Sequence, residues 1–279
     1  GSACAKANAV AVDGLPALRP SVEAGFHSLL DRFVLHTHPV YGNLPACAAG
    51  GRDLVDRIFA DAPYSVAFVP YINPGASLTF AIRDEMERVL LADGRSPSVL
   101  LMQNHGLIAT ADDGDACERI HWDANHRCAR FFGVRREDFP QPVLERDGDG
   151  FRSATPWLAD RLRAKPRPLS FYVEEALYPD QLVFLTGSLA VLDGAPPRSV
   201  GEAGLPARAN LFRETGDILY RCGEREAMTI EETLCAIHFI VGTLEAGGYQ
   251  VSTLSEAGRS FIAGWESEKY RKSLNRQGA

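Results

Sequence analysis

His36 and His38 flank a single threonine at the end of an apolar run, Phe33-Val34-Leu35. On a β-strand, residues i and i+2 project to the same face. The two imidazoles therefore stand side by side, their Cα atoms roughly 7 Å apart, with Thr37 turned away. From that spacing both rings can lean onto one metal ion, at the ~2.0–2.1 Å bond lengths of zinc–imidazole sites. Pro39 has no N–H to give a sheet and ends the strand where the pair emerges. A third histidine, His105, follows the most apolar segment of the chain, Val99-Leu100-Leu101-Met102. It sits in the break Gln103-Asn104-His105-Gly106, before a second apolar segment, Leu107-Ile108-Ala109. Such a polar break is costly unless its groups are partnered, and a functional site offers that partnering. Three neutral imidazoles with an open fourth position are the donor set of a catalytic zinc-type centre. A His-x-His pair alone fits a structural role as well as a metal one; a third histidine at another strand end favours the metal.

The elements that must carry these residues can be read along the chain. Residues 1–19 suit a short strand or loop. Pro20-Ser21-Val22-Glu23 carries helix-start signals, proline in the first turn and an acid beside it, and predicts a helix over residues 21–30. On its own, Glu23 reads as a helix N-terminal acid. A strand over 32–38 follows, then helical spacing over 44–60, a strand at 65–69 and a turn-rich loop at 70–75. A helix begins at Ser77 and ends at Asp93-Gly94, and another spans about 114–132. His121 and His126 lie on that helix at i, i+5, which does not put them on one face, so both are expected to be structural or exposed.

Residues 134–168, rich in proline and charge, read as a connecting region with little core. Apolar runs at 182–185, 189–192 and 218–220 read as strands. Thr229-Ile230-Glu231-Glu232 has the pattern of a capping box and opens an apolar helix over about 230–244, with His238 as a core or boundary residue. An amphipathic helix over about 255–275 turns highly charged at 266–272.

The whole chain limits the function classes. Its 279 residues allow one large or two small domains, and the split expected is 1–135 and 136–279. Hydrophobic residues make up 46% and charged residues 23%, as in an ordinary globular protein. A net charge of -7 argues against a nucleic-acid or anionic-membrane surface. No apolar run reaches the ~18–20 residues of a transmembrane helix. Six scattered cysteines without a CxxC pair, and no secretory pattern at the start, predict reduced thiols in a cytoplasmic protein.

Pro20-Ser21-Val22-Glu23, His36-Thr37-His38-Pro39, Pro70-Tyr71 with Pro74-Gly75, and Asn104-His105-Gly106-Leu107 resemble, in order and character, the class II aldolase/adducin family. The likeness covers roughly residues 20–132. Residues 180–275, with Pro179-Asp180-Gln181-Leu182-Val183, are similar to the extension in the aldolase half of rhamnulose-phosphate aldolase–dehydrogenase fusions. The resemblance implies a three-layer α/β domain with a central sheet and a C-terminal α/β extension packed on it. It implies His36, His38 and His105 as ligands of a divalent ion, zinc first, with manganese, cobalt or magnesium as alternatives. It makes Glu23 the acid/base, a carboxylate of raised pKa near the metal, and places Ser21, Asn104 and Gly106 at the substrate, Ser21 in the phosphate-contacting segment. His27 matches a frequent family histidine and reads as a packing residue. Tyr41, Tyr71 and Tyr270 are the options for a proton-donating tyrosine supplied by a neighbouring subunit.

The activity implied is that of a metal-dependent lyase, cleaving a C–C bond in a sugar or sugar phosphate through a metal-stabilised enediolate. Decarboxylation, epimerisation and dehydration use the same site. An adducin-like assembly module is the non-catalytic alternative, which retention of all four residues disfavours. The partners implied are a small hydroxy-carbonyl substrate and further copies of the chain, up to a tetramer.

Overall fold

The computed structural model describes Gly14, residues 23–201 and residues 204–264. It divides into two compact units, 1–131 and 132–279. Both are mixed α/β, which is the expected fold class. The expected strand or loop at 1–19, apart from Gly14, the residues Pro20 and Ser21, and the charged run at 266–272 lie outside the described residues.

The first unit is built on a sheet of β1 (Phe33–Thr37), β2 (Ser65–Val69), β3 (Pro97–Met102) and β4 (Gly106–Ala111), in the order β1-β4-β3-β2. β2 and β3 are parallel, and β4 is antiparallel to both β1 and β3. Its helices are α1 (Ala24–His27), α2 (Asn43–Ala46), α3 (Gly51–Ile58), α4 (Ala76–Asp93) and α5 (Gly114–Phe131).

Strand alternation decides which side chains meet which helices. Ala67, Val69, Leu100, Met102 and Ile108 face α1 and α4, where Phe26, Leu78, Ile82 and Val89 complete a buried cluster. Each side chain of that size contributes about 1.5–3 kcal/mol on burial. Leu107 and Ala109 alternate to the opposite face, under α5, and Cys117 on α5 donates its thiol to the Ala109 carbonyl at 3.4 Å. The result is three layers, helix–sheet–helix. Gly94 ends α4 in the left-handed conformation (φ 72°), its N–H returned to Leu90.

The second unit has a five-stranded sheet, β5 (Leu144–Asp147), β6 (Gly150–Ser153), β7 (Leu189–Leu192), β8 (Ala209–Phe212) and β9 (Asp217–Tyr220), ordered β5-β6-β9-β8-β7. Its helices are α6 (Pro156–Ala164), α7 (Leu169–Val173), α8 (Pro179–Leu185), α9 (Glu224–Ala246) and α10 (Glu256–Ala263). α9 is 23 residues long and apolar enough to cross a membrane by length and composition, which corrects the expectation that no segment is. With 72% of that stretch buried inside the protein, it is the core helix of this unit. Glu231, fully buried on α9, ties the helix to the sheet: it accepts from Ser153 Oγ on β6 at 2.6 Å and from the Tyr220 hydroxyl on β9. His238 meets the hydroxyl of Tyr172 at 3.0 Å, the core role expected of it.

Three expectations for this unit are corrected. Residues 134–168 are not a coreless connection: they hold β5, β6 and α6, and Leu158 and Leu162 on α6 are buried. Residues 182–185 are helical, not extended. Pro179 in the first turn of α8 supplies the helix start, and a four-residue apolar run by itself does not distinguish the two states. α9 begins at Glu224 and not at the Thr229 pattern, whose hydroxyl instead bonds the Arg225 carbonyl one turn back.

Candidate metal centre

β1 and the β3–β4 hairpin deliver the three histidines to one end of the first sheet. His36 pairs in register with Ile108, on the α1/α4 face, and His38, two residues on, follows to the same side. Between Met102 and Gly106 the chain reverses through Gln103-Asn104-His105. The His105 N–H closes the turn on the Met102 carbonyl at 3.2 Å. Asn104 has φ 51°, the one positive value outside glycine among the described residues, as the third position of a type II turn requires. Its N–H bonds the Ala46 carbonyl, and that of Gln103 bonds Val69, so the hairpin tip is tied to α2 and β2.

Gly106 is required by a close approach. A Cβ there would stand 2.4 Å from the Thr37 carbonyl oxygen and 2.7 Å from Cδ2 of the His38 ring. Its bare Cα lets the end of β1 and the His38 imidazole come down against the hairpin.

The three rings converge edge to face. Their centroids are 5.2 Å apart for His36–His38, 5.2 Å for His36–His105 and 5.0 Å for His38–His105. One nitrogen from each lies within 4.8 Å of the others, and the widest separation must close by roughly 1.5 Å for all three to share one tetrahedral ion. Glu23 reaches them from the turn before α1. Its Oε1 is 3.5 Å from His36 Nε2 and 3.6 Å from His105 Nε2.

The electrostatics suit a cation. His36 Nδ1 lies 3.2 Å from the Leu107 carbonyl, to which it donates, leaving Nε2 as the lone-pair nitrogen. That Nε2 is buried and has no hydrogen-bond partner, an arrangement a metal ion would satisfy. Burial pushes His105 down to about 4, against the raising effect of Glu23, so its ring is neutral and able to ligate at pH 7. For Glu23, burial acts upward, but the imidazoles of His105 and His36 beside it override that and hold the carboxyl well below the usual range. The raised pKa expected of this group is thereby corrected: it is a carboxylate. Three imidazole nitrogens and one carboxylate are a donor set that fits a divalent ion.

The other sequence-derived residues fall partly at the site and partly away from it. Ser21 and Tyr270 lie outside the described residues. Asn104 is 2% exposed and Gly106 is buried, and both shape the hairpin that presents His105. His27 stacks on Phe26 at 4.8 Å, and burial lowers its pKa. Tyr71 is half-buried, with its hydroxyl 3.3 Å from Asn73 Oδ1 and its pKa raised by burial. Sequence reasoning passed over the contact between Thr37 Oγ1 and His121 Nε2, at 2.7 Å. The signal for it was available, since a residue turned away from His36 and His38 must face whatever covers the other side of the sheet.

A three-layer α/β unit with converging histidines at its strand ends is the setting in which the family match falls. Residues 3–129 match the model of the Class II Aldolase and Adducin N-terminal domain, which supports the resemblance read from the sequence. The chain has no significant match among curated proteins or among solved structures. Glu23, His36, His38 and His105 all lie inside the matched stretch.

Proposed function

We propose that the protein is a divalent-metal-dependent lyase that cleaves a C–C bond in a small hydroxy-carbonyl compound, a sugar or sugar phosphate. The observation that carries this reading is the convergence of His36, His38 and His105 beside the Glu23 carboxylate, with His36 Nε2 buried and unpartnered. The three imidazoles would hold the ion, and zinc suits this nitrogen-rich set. When bound, the ion supplies Lewis-acid polarisation of a carbonyl oxygen.

Glu23 is the group that moves the proton. In the cleavage direction a hydroxyl on the carbon β to the carbonyl loses its proton to a base. The C–C bond breaks, its electron pair moves toward the carbonyl, and the carbon left behind takes up a proton. Glu23, a carboxylate beside the rings, would accept that proton and return it at that carbon. The Leu107 carbonyl keeps the His36 ring oriented, and Gly106 keeps room for that of His38. Ser21 and Asn104 are taken with Gly106 as substrate contacts. The reading also takes the chain as a cytoplasmic homo-oligomer, up to a tetramer; Cys47, Cys117, Cys128, Cys222 and Cys235 are free thiols, in keeping with a reducing compartment.

The test has two parts. Purified protein is expected to carry close to one equivalent of a divalent ion, and His105→Ala to lose it; unchanged metal in that variant refutes the ligand set. A panel of ketose phosphates, free ketoses and β-keto or hydroxy acids is then assayed for aldehyde and carbon dioxide separately. Aldehyde release supports the lyase. Carbon dioxide release makes the protein a decarboxylase, and no turnover by metal-loaded protein favours an assembly role.

A further inference from the structure

Thr37 stands between two of the imidazoles and faces away from both. Its Oγ1 lies 2.7 Å from Nε2 of His121, half-buried on α5 across the opposite face of the sheet. We infer that His121 is a positioning residue of the metal centre, acting through the Thr37 hydroxyl to set the end of β1 and with it the rings of His36 and His38. The inference rests on the reading of those histidines as ligands.

The mechanical argument is direct. Thr37↔Leu107 is the last pair of the β1–β4 ladder. Beyond it come His38 and Pro39, and proline cannot extend the ladder. Strand ends fray, and a rotation here would carry two ligands out of place together. Two side-chain ties oppose it. On the metal face His36 Nδ1 bonds the Leu107 carbonyl. On the far face Thr37 bonds His121. A strand end held from both faces can neither twist nor lift without breaking one tie.

The far tie ends on a firm element. α5 buries Cys117, Ala124 and Cys128 against the sheet, and the Cys117 thiol bonds the Ala109 carbonyl of β4. Asn125 Nδ2 bonds the His121 carbonyl at 2.9 Å, bracing the turn that carries the ring. The ligands thus take their orientation from the helix layer opposite the site, through one hydroxyl.

Cobalt(II) is a suitable probe, because chelator competition reads its affinity and its visible bands read ligand geometry. Thr37→Val keeps the shape and removes the hydroxyl; His121→Leu removes the other partner. Each is expected to weaken cobalt binding about tenfold, the lower end for residues that orient ligands, and to alter the visible bands. The double variant is expected to be no weaker than either single one, since both remove the same bond. Thr37→Ser and His121→Gln, which retain hydrogen-bonding groups, are expected to restore affinity and spectrum.

Variants that melt earlier yet bind cobalt with wild-type affinity and spectrum overturn the inference, because a purely structural bond does only that. Should Thr37→Val fail to fold, His121→Leu carries the test from the other end of the bond. Wild-type protein that takes up no cobalt overturns both this inference and the metal reading; wild-type binding with unchanged variants overturns this one alone.

Discussion

Glu23 and the three imidazoles show how burial and partnering set protonation at a single group. Burial alone would make Glu23 a neutral acid and keep His105 neutral. Two ring nitrogens facing Glu23 Oε1 reverse the first effect, while burial still outweighs Glu23 at His105. His238, in the other unit, shows the second effect without a metal in view. Burial, with Arg167 and Arg161 nearby, pushes it down to about 4 against the opposing pull of Glu245. Its Nε2 accepts from the Tyr172 hydroxyl, which suits a neutral ring. The consequence for stability has a definite sign. Above about 6.5 the residue is neutral in both folded and unfolded chains. As pH falls from there to about 4, the unfolded chain takes up a proton that the folded one refuses, and stability drops. The loss amounts to about 3 kcal/mol in all, and ceases below the folded value. Denaturant titrations at pH 7, 5 and 4 are expected to show wild type losing that margin relative to His238→Gln. A difference independent of pH would refute a neutral buried His238. At this scale the pairing of His36 and His38 on one face was legible because i, i+2 spacing on a strand is a geometric statement. The charge state of Glu23 was not, because it depends on residues that only the fold brings to it.

Elements account for what could and could not be read between these residues. Long periodic segments, α4 and α5, were legible within a residue or two, since their apolar positions repeat over several turns. The four apolar residues 182–185 were not, because a run of that length serves either state. In residues 134–168 the core is carried by Phe151 on β6 and by Leu158 and Leu162 on α6, spaced one turn apart among charged neighbours. Composition averaged over the segment conceals them. The β3–β4 hairpin is the most demanding element, since it must present His105 and also admit β1 against its base. Gly106→Ala tests that demand. The added methyl meets the backbone carbonyl of Thr37 at 2.4 Å, and backbone cannot swing aside as a side-chain tip can. Parting the two strand ends is expected to cost on the order of 1–3 kcal/mol of stability. Because the same methyl meets the His38 ring, metal affinity is expected to fall as well. Thermal melts in chelator and with zinc separate the two effects: the variant should melt lower in chelator and gain less from zinc. An unchanged melting temperature would mean that the ends of β1 and β4 do not approach so closely.

At the scale of the molecule, the family match and the metal cluster fall in the same unit. The match ends at residue 129 and the first unit at 131, and Glu23, His36, Thr37, His38, His105 and His121 all precede both. The candidate metal centre therefore draws its four side chains and their supports from one compact unit. A core of that unit alone, Phe26 with Leu78, Ile82, Leu100 and Ile108, backs the sheet that carries them. Residues 132–279 have their own sheet, their own core helix and a buried Glu231 network, so their stability has separate sources. The second unit is then expected to bear on substrate and assembly, and not on metal. A fragment of residues 1–131 tests this division. It is expected to show far-UV circular dichroism of an α/β domain and to bind zinc with an affinity within about tenfold of the full chain, while a fragment of 132–279 binds none. A site whose donors are placed by local strands and one helix keeps its affinity when distant residues are removed, because no ligand loses its orienting partner. A folded 1–131 fragment that has lost zinc binding would show that the second unit contributes to the metal site itself.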